Sequence, residues 1–200
     1  MHLRFAVDCS SHLDTMIDDL MELVDENHWK RLTELHISLS KTVPVRFHHI
    51  ESIRQGIQHE FSLDKIEFST RIENVTILTN EDRLTCVLLL FARKKHRPHS
   101  WHSRSFLVLT LDRHQQFSKL VEAIDRILVT HRYPGYYENP CFHVSFAYST
   151  AADRDEKLPK DWQDKAQVIR RKSFSSVIFI EILEHSQTIS MSTKCIDDSH

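Results

Sequence analysis

Two five-residue segments, Leu35-His36-Ile37-Ser38-Leu39 and Phe142-His143-Val144-Ser145-Phe146, share one frame of apolar, His, apolar, Ser, apolar. Consecutive side chains of a strand point to opposite faces, so in each segment the apolar residues take one face and His and Ser the other. Two such strands can aim two imidazoles at one substrate, the minimum equipment for metal-free acid–base attack on a phosphodiester. A His-x-Ser triplet alone carries little weight, because 15 of the 200 residues are His. The full frame, occurring twice, is much rarer. The bland reading is a pair of strands whose His and Ser are merely polar surface. Serine-hydrolase chemistry from Ser38 with His36 is unsupported, since a nucleophile elbow needs glycines for its strained turn and the chain has only Gly56 and Gly135.

The elements that must position these residues follow from hydrophobic periodicity. Leu3-Arg4-Phe5-Ala6-Val7 alternates and predicts a strand at the very start, leaving little room for an N-terminal extension. Ser10 or Ser11 can cap a helix with Leu13, Met16, Ile17, Leu20, Leu23 and Val24 on one face, and the first His-Ser strand follows. After Pro44, the spacing of His49, Ile50, Ile53, Ile57 and Phe61 predicts a second helix. Strands are expected at 66–69, 75–78 and 86–91. From 93 to 105 the chain turns basic, with Arg93, Lys94, Lys95, Arg97 and Arg104 interleaved with His96, His99, His102 and Trp101. That stretch reads as a loop insertion, either a basic lip for RNA or a solvated excursion. A strand at 106–111 and a third helix carrying Phe117, Leu120, Val121, Ile124 and Leu128 come next. A loop from Arg132 to Pro140 then delivers Tyr133, Tyr136 and Tyr137 just before the second His-Ser strand. A charged surface excursion with a short helix is expected at 153–165, and a closing hairpin at 174–183 and 188–191. Each half therefore feeds a helix into a His-Ser strand, implying two pseudo-symmetric lobes around one groove.

Bulk properties narrow the classes. The net charge of −2 with 26 Lys and Arg argues against a non-specific duplex binder, though not against a small basic cleft. The four Cys (Cys9, Cys86, Cys141, Cys195) are scattered without C-x-x-C spacing, which excludes zinc-ribbon and thioredoxin-like readings. Neither an 18-residue apolar span nor a signal-peptide pattern is present, so no membrane association is expected. No H-E-x-x-H and no close Cys/His cluster suggests a zinc site; a helical turn at His96, His99 and His102 would bind metal only adventitiously.

The segments 35–40 and 137–148, with the strands of 75–91 between them, resemble the two-histidine phosphoesterase superfamily. They are more closely similar to its branch of phosphodiesterases that trim the 3′ end of the spliceosomal U6 small nuclear RNA. The resemblance implies an α+β, two-lobed, pseudo-symmetric fold with antiparallel sheets flanking a central groove and helices outside. It also implies one catalytic domain over 1–200 made of two interleaved lobes, with the basic insertion at about 93–105. Three departures stand out: the family's N-terminal region has little room here, the connection at Arg93–Ser105 looks longer than usual, and Tyr148 stands where another aromatic, often Trp, is common.

The implied function is a metal-independent, cofactor-free 3′-to-5′ exoribonuclease that trims an oligouridine tail by 2′-hydroxyl attack, leaving a 2′,3′-cyclic phosphate. RNA carries its own nucleophile, so the enzyme needs a base, an acid and stabilisation of the phosphorane charge. His36 and His143 are the expected base and acid in either order, and Ser38 and Ser145 the donors to nonbridging phosphate oxygens. Tyr137, six residues before His143, takes the position that stacks on a terminal base in the family; packing with a wet hydroxyl is its alternative. The resemblance leaves open whether the cyclic phosphate is opened further. The implied partner is a single-stranded RNA 3′ end, U6 small nuclear RNA, met by a nuclear monomer. A 2′,5′-oligonucleotide or cyclic-phosphate phosphodiesterase would use the same residues, and a non-catalytic RNA-binding module is the reading from a different class.

Overall fold

Alternation and helical periodicity produce twelve elements in the computed structural model, which describes residues 2–6, 10–61, 66–80, 104–149, 158–172, 177–182 and 190–192. They are β1 (His2–Ala6), α1 (Ser10–Met21), β2 (Lys30–Arg31), β3 (His36–Ser38), α2 (Phe47–Phe61), β4 (Ile66–Asn80), β5 (Arg104–Leu111), α3 (Gln115–Thr130), β6 (His143–Ser149), α4 (Trp162–Lys172), β7 (Val177–Ile182) and β8 (Ser190–Ser192). The strands run in the order β7-β4-β5-β6-β3-β1-β8, and β2 also pairs with β6. The β1–β8 ladder is parallel and the others are antiparallel. The class is α+β, as expected. So is the repeated unit: β1–α1–β3 and β5–α3–β6 each send a strand through a helix into a His-Ser strand that returns antiparallel to the first. The two His-Ser strands lie side by side at the centre of the order.

One apolar cluster holds this arrangement. Met16, Ile17 and Leu20 of α1, Ile53 of α2 and Phe117, Leu120 and Ile124 of α3 join Ile37, Leu107, Leu109 and Val144 of the sheet. Ile37 and Val144 are fully buried and directly paired. Burying each is worth about 1.5–3 kcal/mol. A one-residue slip of either strand would turn its apolar residue out and its His and Ser in, so burial locks the register that the site requires.

Several expectations are corrected. The strands predicted at 66–69 and 75–78 form one continuous strand, β4, whose first half pairs with β7 and second half with β5 across an irregularity between Ile72 and Asn74. β7 pairs with β4 and β8 with β1, and β7 and β8 also lie against each other, while residues 183–189 of the expected closing hairpin lie outside the described residues. The surface excursion is in part core, because α4 buries Trp162 and Ala166 against the cluster. Ile50, placed on the apolar face of α2, is exposed. The strand expected at 86–91 and the insertion from 93 to 103 lie outside the described residues, while Arg104 and Ser105 already belong to β5. Among the described residues, no helix is long and apolar enough to cross a membrane.

Candidate active site

The pairing of Ile37 with Val144 fixes where the polar side chains stand. In an antiparallel pair, opposed residues project to the same face and their neighbours to the other. With Ile37 and Val144 turned into the core, His36, Ser38, His143 and Ser145 all project from the opposite face, each half-buried. One step from the Ile37–Val144 pair, Ser38 lies across from His143 and His36 across from Ser145. Each histidine thus neighbours the other strand's serine, and the two imidazoles sit on a diagonal. The frame Phe142-His143-Val144-Ser145-Phe146 keeps its alternation of burial, but Ala147 is buried directly after Phe146. The cause is a β-bulge: Leu107 pairs with Ala147 and Val108 with Ser145, leaving Phe146 unopposed. The bulge sits immediately beyond Ser145 and ends the strict alternation where the site ends.

Both imidazoles are oriented through the same device. His143 Nδ1 lies 2.8 Å from the Cys141 carbonyl, and His36 Nδ1 lies 3.4 Å from the Glu34 carbonyl, in each case two residues back. A carbonyl only accepts, so Nδ1 carries the hydrogen in each ring and the neutral imidazole has its lone pair at Nε2. Burial pushes the His143 imidazole below the ordinary histidine value; the bond to the Cys141 carbonyl opposes this and the charge of His36 adds to it.

The loop between α3 and β6 gives its three tyrosines different work. α3 begins at His114, whose Nδ1 accepts from the Gln116 N–H, and ends with Arg132 N–H donating to the Val129 carbonyl and Tyr133 N–H to the Leu128 carbonyl. This termination puts Arg132 at φ 64°, where Gly is usual and a side chain costs about 1–2 kcal/mol. The Tyr133 hydroxyl bonds His49 Nδ1 and accepts the Arg46 N–H, both at 2.9 Å, tying the loop to the start of α2. The chain then passes so close to α3 that a Cβ on Gly135 would stand 2.9 Å from Asp125 Oδ2. Tyr136 follows, its N–H donating to both Asp125 oxygens at 3.0 and 2.9 Å and its hydroxyl donating to the Ser38 carbonyl at 2.9 Å. Burial pushes that phenol up to about 12, with Tyr137, Cys141 and Asp125 adding to the rise, so it stays a donor at neutral pH. Tyr137 is 44% exposed, and the Lys41 ammonium lies 4.8 Å from its ring centroid. Of the three rings it is the one open to a base.

All five residues singled out from the sequence are therefore described: His36, Ser38, His143 and Ser145 share one face of two paired strands, and Tyr137 lies on the loop leading into the second. Sequence reasoning missed Lys41, three residues beyond Ser38, and Thr110, which lies across from His143 on β5 with Val108 across from Ser145. It placed Tyr136 on the loop but missed its bonds to Ser38 and to Asp125. Thr110 needed the register, whereas Lys41, Tyr136 and Asp125 needed contacts between residues far apart in sequence, although the Tyr-Tyr pair beside Gly135 marked the loop.

Comparison with known proteins adds to this geometry. The model of the family HVSL, described as an uncharacterised conserved protein, matches residues 3–197. U6 snRNA phosphodiesterase 1 of Dictyostelium discoideum is 28% identical over 148 residues, covering 71% of this chain and 46% of its own length. The Drosophila melanogaster protein of that name is 25% identical over 141 residues, covering 66% and 47%. The human one is 27% identical over 119 residues, covering 59% and 37%. The chain thus spans about half the length, or less, of these relatives. A solved structure of Kluyveromyces marxianus Usb1 with uridine monophosphate superposes over 86% of this chain and 78% of its own, at 16% identity and a TM-score of 0.45.

Proposed function

The chain belongs to the HVSL family, and on that premise we propose that it is a metal-independent 3′-to-5′ exoribonuclease that trims the oligouridine 3′ tail of U6 small nuclear RNA. The observation that carries this reading is the crossed pair of His and Ser on β3 and β6, four groups on one face able to serve a single phosphate. Relatives named U6 snRNA phosphodiesterase 1 support the substrate. The protein works as a monomer in the nucleus, on a single-stranded RNA end.

The roles follow from protonation. A general base must be neutral before it acts, and burial favours the neutral form of His143. His143 Nε2 therefore takes the proton of the penultimate 2′-hydroxyl as that oxygen attacks the adjacent phosphorus. His36 Nε2–H gives a proton to the departing 5′-oxygen. Charge developing on the nonbridging oxygens is met by the hydroxyls of Ser38 and Ser145, which act across the diagonal between the imidazoles. The terminal base stacks on Tyr137, whose ring holds a base without reading its sequence, and Lys41 adds positive charge beside it. The bond broken is P–O5′, the bond formed is P–O2′, and the shortened RNA ends in a 2′,3′-cyclic phosphate.

The test is product analysis on a 5′-labelled oligouridine with a free 3′ end, in the presence of a chelator. The expected products are shortened at the 3′ end and carry cyclic phosphate termini. An intact oligouridine beside a 2′,5′-linked oligomer that is cleaved, or activity that appears only when zinc is added, contradicts the proposal.

A further inference from the structure

β3 and β6 are joined by one directly opposed pair, Ile37 with Val144, and β3 is only three residues long. Yet the chemistry proposed above needs the first motif to keep its place relative to the second, since a reacting group displaced by about 1 Å can cost about a hundredfold in rate. Tyr136 supplies a second cross-link between them. Its hydroxyl donates to the Ser38 carbonyl at the end of β3. Its ring lies parallel to that of Phe142, centroids 6.0 Å apart and planes 12° apart, and Phe142 directly precedes His143. Phe142 in turn is buried and stacked on Phe117 of α3, with centroids 4.5 Å apart. The backbone of Tyr136 is held from below by the Asp125 carboxylate of α3. One residue therefore touches the first motif through its hydroxyl, the second through its ring against Phe142, and α3 through its backbone N–H.

We propose that Tyr136 is a positioning residue that sets Ser38 against His143, and that Asp125 holds Tyr136 in place to do so. The proposal rests on the exoribonuclease reading and deepens it. Tyr136 touches no reacting atom; it acts through Ser38. That separates it from its neighbour Tyr137, whose exposed ring acts on the substrate itself.

The experiment is a double-mutant cycle in the full chain with Tyr136→Phe, which keeps the ring on Phe142 and removes only the hydroxyl. The expected result is a kcat lower by about tenfold or more with KM within about twofold. In a Ser38→Ala background the same change should have almost no further effect, because the group it positions is gone. Losses that multiply in the double variant, an unchanged kcat in Tyr136→Phe, or a rise in KM alone would overturn the proposal. Should Tyr136→Phe prove too unstable to purify, Asp125→Ala is expected to lower kcat with the same non-additivity toward Ser38→Ala, and multiplicative losses there count against it equally. If the wild-type chain cleaves no RNA, the exoribonuclease reading has failed by itself. The strut is then decided by amide hydrogen exchange at Ile37–Leu39, which Tyr136→Phe should accelerate; unchanged protection there overturns it.

Discussion

The two His-Ser strands carry the same five-residue frame in unequal surroundings. β6 is seven residues long and is flanked by an extended ladder with β5, so His143 and Ser145 each have a paired neighbour there, Thr110 and Val108. β3 is three residues long and meets β6 through a single opposed pair, with β1 pairing all three of its residues on the other side. Its His36 ring is held at 3.4 Å from a carbonyl, where the His143 ring is held at 2.8 Å. Burial depresses the pKa of His143. Two copies of one frame thus carry a His143 imidazole that is held by the shorter bond and shifted toward its neutral form by burial, and a His36 imidazole that is held at the longer distance. The difference between the two imidazoles comes from the scaffold behind them, a distinction the motif itself does not contain.

Removing either imidazole should produce the largest effect. His36→Ala and His143→Ala each delete a proposed proton-transfer group on the face away from the core, so each is expected to lower kcat by about 10²- to 10⁴-fold with the fold intact. Circular dichroism together with single-turnover cleavage checks both halves of that expectation. Wild-type rates in either soluble variant would remove the basis of the comparison.

Smaller losses should follow at the serines. Ser38→Ala and Ser145→Ala each remove one proposed donor to the phosphate, and a lost hydrogen bond to a charged group is worth about 1.5–3 kcal/mol, or roughly 10- to 150-fold in rate. Because the two lie on opposite sides of the diagonal between the imidazoles, comparable losses in kcat are expected from both. A large loss from one and none from the other, measured side by side, would show that the phosphate sits to one side of the diagonal.

The pH dependence sharpens the asymmetry further. Because burial lowers the His143 pKa, a base at that position keeps its neutral form to lower pH than an ordinary histidine, and activity is expected to fall only as the pH drops through the lowered value. The acidic limb of kcat/KM should therefore lie below the ordinary histidine value of about 6.5. The charge of His36 contributes to the depression, so an NMR titration of His143 in His36→Ala should move its pKa upward. A downward move, or an acidic limb above the ordinary value, would reverse the assignment of base and acid.

How far the sequence reached follows from which interactions are local. Alternation within Leu35–Leu39 and Phe142–Phe146 predicts the faces of both strands, because burial of Ile37 and Val144 enforces it. The helical stripes of α1 and α3 were legible for the same reason. Partner choice is not local. Nothing in Ile66–Asn80 marks where β4 exchanges β7 for β5, and nothing in 174–191 tells that β7 and β8 pair with different strands. The bulge at Phe146 depends on β5, and the bond from Tyr136 to Ser38 joins residues 98 positions apart. Arg132 defeats expectation in another way: the helix end that launches the loop adopts a glycine-like conformation without a glycine.

The most direct test concerns the origin of the nucleophile. An oligouridine with a single deoxyribose at the penultimate position lacks the 2′-hydroxyl that His143 is proposed to deprotonate, while every contact to the terminal nucleoside remains available. The account predicts that removal of the terminal nucleoside stops on this substrate and proceeds on the all-ribose control. Appreciable cleavage of that bond would mean that water is the nucleophile, and would contradict the mechanism even if His36 and His143 both proved essential.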